Sequence, residues 1–178
     1  MTTTRLADWL RPKAAEWLER HGQAPFLIVD FARDKPEPSP QEAVPSSVAP
    51  TDVYTKIEIF EDIRPDSRVF RLVKGEDKPY PGRILLGRAP SNDICLELLT
   101  VSRLQLSFEQ HERGWVVTDL GSTNGTLVAG APLGNQQTRR LEEGCELRIG
   151  PEVRARFYSR TAFKMLMREL KRAHDPRR

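Results

Sequence analysis

The chain has 178 residues, of which 38% are hydrophobic and 30% are charged, enough for one ordinary domain with appendages and one hydrophobic core. Its 28 basic and 25 acidic residues leave a formal net charge of only +3. No nucleic-acid partner is therefore expected, since nucleic-acid binding normally requires a concentrated basic face.

The first residues carry no long apolar run, so they do not have the pattern of a signal peptide. The longest apolar run is Phe26–Phe31, which contains Asp30 and is far too short to cross a bilayer. We therefore expect a soluble, cytoplasmic protein without a membrane partner.

Residues 1–32 form an N-terminal segment with the first predicted elements. Residues 5–21 have the apolar spacing of a helix, interrupted at Pro12 and followed by Gly22, which could end the helix. Residues 25–32 predict a short buried strand or an extended anchor. The apolar residues of the helical stripe are Leu6, Trp9, Leu10, Ala14, Trp17 and Leu18.

This N-terminal segment has more apolar surface than soluble proteins usually expose to water. It is also too short to bury that surface within itself. Two outcomes stay open at this point. Residues 5–32 dock a second partner or a second copy of the chain, or they fold back onto the main domain of the same chain.

Residues 33–52 differ in composition from the rest of the chain, because proline alternates there with small polar residues. Such a stretch cannot build a hydrophobic core. It predicts a semi-extended, proline-rich linker between the N-terminal segment and the domain that follows.

Residues 53–158 predict a β-sandwich, because short strand-like runs are separated by turn signals. Asn124-Gly125 and Gly150-Pro151 are two of these turn signals. The predicted strands are residues 55–60, 69–72, 83–86, 93–96, 104–109, 115–119, 126–128, 147–149 and 154–158.

Residues 159–178 predict an amphipathic helix over 159–174, followed by a basic tail. Phe163, Leu166, Met167 and Leu170 recur at helical spacing, so that face is expected to pack on the sandwich. The basic residues of the tail are interpreted as a solvated helix end.

No arrangement of reactive side chains indicates catalysis. His21, His111 and His174 have no serine, cysteine or carboxylate partner at a recognisable spacing. Cys95 and Cys145 form neither a disulfide framework nor a metal-ligand cluster, and we interpret them as buried or half-buried thiols. We predict no enzyme activity, no metal and no cofactor.

Several short motifs follow one another in the strand-rich region. They are Gly87-Arg88, Ser91-Asn92-Asp93, Val101-Ser102-Arg103, Asp119-Leu-Gly-Ser-Thr-Asn-Gly-Thr126, residues 141–144 and Ile149-Gly150. In this order and spacing they resemble a forkhead-associated (FHA) domain over roughly residues 54–158. The resemblance implies a mainly β fold, an FHA-type antiparallel β-sandwich, here with an N-terminal helical segment and a C-terminal amphipathic helix.

The resemblance further implies that loops at one end of the sandwich bind a phosphothreonine peptide. A phosphate dianion needs charge-assisted donors on rigid loops. Arg88 offers a planar fork of N–H groups, while Ser102 and Thr123 offer hydroxyl groups. Arg103 adds a backbone N–H and its charge, and Asn124 matches the family asparagine that binds the peptide backbone beside the phosphothreonine.

Three further residues support the binding loops in this interpretation. Gly87 lies next to the arginine, and Gly125 permits the positive φ of its turn. The third is Gln105, where the family normally has the histidine of a Ser-Arg-x-His motif that braces the loops from behind. With Gln105 in its place, the brace is expected to be weakened but not abolished.

A purely structural interpretation of the same residues stays open. Arg88 could pair with Asp93 or Asp119 instead of a phosphate. Ser102 could cap its own loop, and residues 122–125 could form no more than a tight hairpin.

The sequence thus predicts a non-catalytic phosphothreonine-peptide-binding adaptor in Ser/Thr-kinase signalling. Its partner would be a phosphothreonine-containing protein, either a Ser/Thr kinase or a kinase substrate. The alternative is an FHA-fold structural or scaffold subunit that no longer needs phosphate and acts through its N-terminal segment. Gln105 favours the alternative, and the set of Arg88, Ser102, Thr123 and Asn124 favours the adaptor.

Overall fold

Two β-sheets enclose a common core in the computed structural model, which describes residues 4–11, 23–31 and 63–173. The larger sheet has seven strands and the smaller has five. The predicted mainly β sandwich with helices at both ends is confirmed.

The larger sheet consists of β1 (Thr4–Arg5), β2 (Phe26–Phe31), β3 (Arg68–Arg71), β8 (Thr126–Val128), β9 (Ala131–Leu133), β11 (Glu146–Ile149) and β12 (Val153–Tyr158). Their order across the sheet is β1-β3-β2-β12-β11-β8-β9. The smaller sheet consists of β4 (Ile84–Gly87), β5 (Ile94–Cys95), β6 (Leu106–His111), β7 (Gly114–Asp119) and β10 (Thr138–Arg140). Their order is β10-β7-β6-β4-β5.

Neighbouring strands are antiparallel, except that β4 and β5 run parallel through Leu86 opposite Ile94 and Gly87 opposite Cys95. The connection from β4 to β5 therefore turns back along the edge of the smaller sheet. The sequence predicted an antiparallel sandwich without this parallel pair.

Alternating side chains from both sheets fill the main core. On β12, Val153, Ala155 and Phe157 are buried in that core, and the arginines between them are half-buried. Leu106 and Phe108 of β6 enter the same core from the smaller sheet. This period of two is the pattern expected of strands with one face in a core.

Strand β2 lies in the interior of the larger sheet. It pairs with β12 from Phe26 opposite Tyr158 to Phe31 opposite Val153, and with β3 from Phe26 opposite Arg71 to Val29 opposite Arg68. The predicted linker, residues 33–52, consequently falls in the connection between two adjacent strands of one sheet. That linker and the predicted strand over 55–60 lie outside the described residues.

A second hydrophobic core covers the outer face of the larger sheet, where both ends of the described chain meet. Helix α1 (Leu6–Trp9) contributes Leu6 and Trp9 to it. Phe26 of β2 stacks on Phe163 with ring centroids 4.1 Å apart, and the Trp9 ring packs edge-on against Phe163 at 5.3 Å. The two chain ends and the sandwich therefore stabilise one another.

This second core favours the second of the two outcomes left open for residues 5–32, folding back onto the main domain of the same chain. Residues 4–11 and 23–31 pack on their own chain, so the apolar surface of Leu6, Trp9 and β2 is already buried. The described part of the predicted helix over 5–21 is limited to α1 and the turn that follows it. Trp17 and Leu18 lie outside the described residues.

Helix α2 (Arg160–Ala173) confirms the predicted C-terminal helix. Its buried residues are Phe163, Leu166, Met167 and Leu170, the face expected from the sequence. The Ser159 hydroxyl accepts a hydrogen bond from the Ala162 backbone N–H at 3.2 Å, so Ser159 caps the first turn. Across residues 4–11, 23–31 and 63–173, no helix is both long and apolar enough to cross a membrane.

Candidate functional site

The predicted binding residues lie on three loops at one end of the sandwich. Arg88 follows β4, Ser102 and Arg103 precede β6, and Thr123 and Asn124 follow β7. Because β4, β6 and β7 are antiparallel neighbours, the end of β4, the start of β6 and the end of β7 meet at the same edge. The topology thus brings together residues that are up to 36 positions apart in the sequence.

Arg88 is tied to the neighbouring loop by its backbone and by one side-chain nitrogen. Its backbone N–H donates to the Ser102 carbonyl at 2.8 Å, and its Nε donates to the Val101 carbonyl at 3.2 Å. Arg88 forms no ion pair with any carboxylate in the described part of the chain. The two terminal nitrogens of its guanidinium therefore stay available to an anion.

The two carboxylates considered as alternative partners of Arg88 are engaged elsewhere. Asp93 is buried and pairs with the Lys74 ammonium at 2.9 Å. Asp119 is also buried and accepts hydrogen bonds from its own loop, including the Ser122 backbone N–H at 2.8 Å. Neither carboxylate neutralises the Arg88 guanidinium.

The hydroxyl groups of Ser102 and Thr123 are neighbours across two loops. The Thr123 backbone N–H donates to Ser102 Oγ at 3.0 Å, and Ser102 Oγ lies 3.4 Å from Thr123 Oγ1. Thr123 is exposed, and Ser102 is half-buried beside it. An anion placed over these loops could therefore receive hydrogen bonds from both hydroxyls.

Asn124 is exposed, yet its side chain is held in one orientation. Its Nδ2 donates to the Thr100 carbonyl at 2.8 Å, which points the amide oxygen away from that contact. Gly125, the next residue, has a φ of +73° and accepts a hydrogen bond from the Gly150 N–H at 3.1 Å. The sequence did not single out Thr100, whose contribution is a backbone carbonyl.

Gly87 and Asn92 bring the loops on either side of Arg88 close together. Asn92 is buried, and its Nδ2 donates to the carbonyl oxygens of Ala89 at 2.9 Å and Arg103 at 2.7 Å. A Cβ atom at position 87 would lie only 2.6 Å from the Arg103 carbonyl oxygen. Glycine is therefore required there, and the exposed side chain of Arg103 contributes nothing to this contact.

Asp93 anchors the start of β5 and the far end of the loop that carries Arg88. Its carboxylate accepts from the backbone N–H groups of Leu85 and Gly75, each at 2.8 Å. Burial alone would raise the pKa of Asp93, but these hydrogen bonds and the Lys74 ammonium outweigh burial and lower the pKa below its usual value. The ionised form thus holds the loop.

Gln105 is the brace behind the three loops and is 0% exposed. Its Oε1 accepts from the Ser102 backbone N–H at 2.8 Å, and its Nε2 donates to the Gly125 carbonyl at 3.1 Å and to Thr126 Oγ1 at 3.2 Å. One amide therefore links the loop before β6 to the loop after β7. It makes three hydrogen bonds, one more than the two ring nitrogens of a histidine provide.

We expect Gln105→His to destabilise the protein, although histidine is the residue typical of the family. A neutral imidazole has one donor and one acceptor, so one of the three contacts of Gln105 is lost. The expected loss in the free energy of unfolding is about 1 kcal/mol, near the value of one hydrogen bond. Urea denaturation measures it.

Gln105→Met is the matched control, because it keeps the side-chain length and removes every hydrogen bond of the amide. The methionine variant should be less stable than the histidine variant. A histidine variant as stable as the wild-type chain would show that the third hydrogen bond of Gln105 contributes nothing.

The two cysteine thiols are half-buried. Burial raises the pKa of both the Cys95 and Cys145 thiols, which keeps them protonated near neutral pH. Where the chain is described, no group of three His, Cys, Asp or Glu side chains could hold a metal ion. His111 is exposed at the end of β6, and His21 and His174 lie outside the described residues.

Comparison with known proteins points to the same region of the chain. The family model of the FHA domain matches residues 84–150. An oxoglutarate dehydrogenase inhibitor of Corynebacterium efficiens is 42% identical over 64 residues, which are 36% of this chain and 43% of that protein. The glycogen accumulation regulator GarA of Mycobacterium tuberculosis is 39% identical over 64 residues, or 36% of this chain and 38% of GarA.

The matched segment therefore spans less than half the length of these curated relatives. Among solved structures, an FHA domain of Arabidopsis thaliana superimposes with a TM-score of 0.49 and 19% sequence identity. That superposition covers 77% of this chain and 86% of the Arabidopsis chain.

Proposed function

We propose that this chain, which contains an FHA domain, is an adaptor that binds phosphothreonine peptides in Ser/Thr-kinase signalling. FHA domains are non-catalytic binding modules, in agreement with the sequence-based prediction that the chain is not an enzyme. The proposed partner is a phosphothreonine-containing protein, either a Ser/Thr kinase or a substrate of one.

One observation carries the proposal: the Arg88 guanidinium has no carboxylate partner among the described residues, and its Nε is bonded to the carbonyl of Val101, the residue before Ser102. The Ser102 hydroxyl in turn neighbours that of Thr123. A half-buried arginine without a counter-charge is costly unless an anion binds it. Its planar fork matches two oxygens of a phosphate. Ser102 and Thr123 supply donors for the remaining oxygens.

The position of Asn124 supports a peptide ligand over free phosphate. Its amide nitrogen is committed to the Thr100 carbonyl at 2.8 Å, and the amide oxygen accepts no hydrogen bond from the described residues. A peptide backbone N–H next to the phosphothreonine could donate to that oxygen. Free phosphate would leave this acceptor without a donor.

The proposed contacts set the expected affinity. Charge-assisted hydrogen bonds contribute about 1.5–3 kcal/mol each. Three or four of them, less the cost of association, correspond to a Kd on the order of micromolar. The threonine methyl group adds about 0.8 kcal/mol if it is buried, so a preference for phosphothreonine over phosphoserine of about fourfold is expected from that group alone.

The scaffold alternative, in which phosphate is no longer needed, rests on Gln105 in place of histidine and on a free N-terminal segment. The three hydrogen bonds of Gln105 remove the first reason. The burial of Leu6, Trp9 and β2 against the same chain speaks against the second. The adaptor is therefore the function that we propose.

Titration with degenerate peptide pools tests the proposal. One pool carries a central phosphothreonine, and the control pools carry phosphoserine or unphosphorylated threonine at the same position. Fluorescence anisotropy should show micromolar binding of the phosphothreonine pool and weaker binding of the phosphoserine pool. Equal binding of the phosphothreonine and unphosphorylated pools would rule out the adaptor function.

A further inference from the structure

A chain of buried hydrogen bonds runs behind the candidate site from β7 to the loop before β6. It starts at Asp119, which is 2% exposed, and passes through Thr126, which is 3% exposed. It continues through the fully buried Gln105 and ends at the backbone N–H of Ser102. Asp119 and Thr126 have no direct access to a ligand, since both are shielded from solvent.

The direction of this chain is set at Asp119. A carboxylate has no proton to donate, so every neighbour must donate to it. Asp119 accepts four hydrogen bonds, from the backbone N–H groups of Gly121 and Ser122 and from the hydroxyls of Ser122 and Thr126, over 2.7–2.9 Å. The Thr126 hydroxyl therefore uses its single donor on Asp119.

That commitment determines how the Gln105 amide is oriented. Because the Thr126 hydroxyl donates its hydrogen bond to Asp119, Thr126 Oγ1 presents only lone pairs to Gln105. Gln105 must therefore donate to it. Gln105 Nε2 meets that requirement and also donates to the Gly125 carbonyl. The amide oxygen is then left at the opposite side, where it accepts from the Ser102 N–H at 2.8 Å.

Ser102 is thus positioned by a carboxylate that it does not contact. Its backbone is fixed by Gln105, and its hydroxyl lies where it accepts from the Thr123 N–H at 3.0 Å. We propose that Asp119 is a positioning residue for phosphothreonine binding, which acts through Thr126 and Gln105 to hold Ser102 in place. This inference rests on the proposed function for its effect on affinity, and it also makes a ligand-free prediction about Ser102.

Asp119→Asn tests the direction of this chain of hydrogen bonds without changing side-chain size. If the oxygen of the substituted amide accepts from the Gly121 and Ser122 N–H groups, its NH₂ group faces the Thr126 hydroxyl. Thr126 must then accept from residue 119, and its own proton loses its acceptor unless it is donated towards Gln105, which would have to present Oε1. The Gln105 NH₂ group would face the Ser102 N–H, and two donors cannot bond each other.

We expect Asp119→Asn to weaken binding of the degenerate phosphothreonine pool by about tenfold, near the contribution of one hydrogen bond in the site. Thr126→Val, which removes the relaying hydroxyl at nearly constant size, should weaken it to a similar extent. Thr126→Ser keeps the hydroxyl and should bind like the wild-type chain. The double variant Asp119→Asn, Thr126→Val should be no weaker than either single variant, because both changes break the same chain.

The ligand-free measurement is amide hydrogen exchange of Ser102 by NMR. The Ser102 N–H should exchange faster in Asp119→Asn and Thr126→Val than in Thr126→Ser. A purely structural role would lower the melting temperature while leaving the Kd of the folded protein and the Ser102 exchange rate unchanged, and that result would overturn the proposal. Equal affinity of Thr126→Val and Thr126→Ser would overturn it as well.

Failure of the proposed function would look different. In that case the wild-type chain would not distinguish the phosphothreonine pool from the unphosphorylated pool. The exchange rate of Ser102 would still respond to the substitutions if Asp119 positions it. The two failures are therefore separable within one set of proteins.

Discussion

A chain truncated to residues 51–178 is expected to be unfolded, although it keeps every motif from Gly87 to Gly150. The truncation removes β2, which lies between β12 and β3 in the larger sheet. Both neighbouring strands would lose the backbone groups with which they pair along β2. Strand β2 carries four of the buried side chains that would leave the two cores, Phe26, Leu27, Ile28 and Val29, and Leu6 and Trp9 of α1 would leave with them.

Burial gives the size of this effect. A fully buried large apolar side chain contributes about 1.5–3 kcal/mol, so the loss of β2 costs roughly 6–12 kcal/mol. The whole stability of an ordinary domain is about 5–15 kcal/mol. Little or no net stability would remain, and the far-UV circular dichroism of residues 51–178 should lack the strand signal of the full chain.

An internal deletion of residues 36–50 is the matched control. It shortens the connection between β2 and β3 and leaves every described strand in place. The entropy of closing a loop changes only slowly with its length, so this variant should unfold cooperatively near the wild-type urea midpoint. A truncated chain with that same midpoint would show that β2 is dispensable, and it would restore the hypothesis that the N-terminal segment docks a partner.

Arg88→Ala is expected to reduce affinity for the phosphothreonine pool by about a hundredfold or more. A guanidinium fork makes two charge-assisted hydrogen bonds to phosphate, each contributing about 1.5–3 kcal/mol. Their sum exceeds the roughly 2.7 kcal/mol that corresponds to a hundredfold change in Kd. No other single substitution at the site should cost as much.

The fold should survive Arg88→Ala. The side chain of Arg88 is half-buried and makes one hydrogen bond to described residues, from Nε to the Val101 carbonyl at 3.2 Å. The stability loss should therefore stay near 1 kcal/mol, or about the value of one hydrogen bond. Anisotropy titration and urea denaturation of the same protein separate the two effects.

Two matched variants sharpen the measurement on Arg88. Arg88→Lys keeps the charge but loses the planar fork, so its affinity should fall between those of the wild type and the alanine variant. Arg103→Ala removes an exposed positive charge but keeps the Arg103 backbone carbonyl, which is the group that holds the loop. This variant should therefore have a much smaller effect on affinity. Equal losses for Arg88→Ala and Arg103→Ala would indicate general electrostatic attraction in place of a fork on phosphate.

The sequence predicted the strands with buried alternation well, because the core imposes that pattern. Strand β8 begins and ends where it was predicted, and α2 buries the predicted face. Strands β9 and β10 were missed. Both are edge strands with largely exposed side chains, and β9 contains Pro132, so neither carries the apolar alternation from which a strand is recognised.

The sequence located the site by its motifs but could not predict how the loops are held. The contributions of Thr100 and Arg103 come from backbone carbonyls, which any residue type can supply. Asp119 and Thr126 stand within the longest motif, yet their type alone does not show that Thr126 bonds both Asp119 and Gln105. That contact exists only because β7 and β8 belong to different sheets whose ends meet at the site.

The central place of β2 also has a consequence for the order of events during protein synthesis. Phe26 pairs with Tyr158, so β2 is made before its partner strand by the time needed to add roughly 130 residues. At about 5–20 residues per second, this delay is roughly 6–25 s, during which β2 emerges without the partner that covers one of its edges. The larger sheet can therefore close only after Tyr158 has been made, and until then the unpaired strand makes the nascent chain a substrate for chaperones.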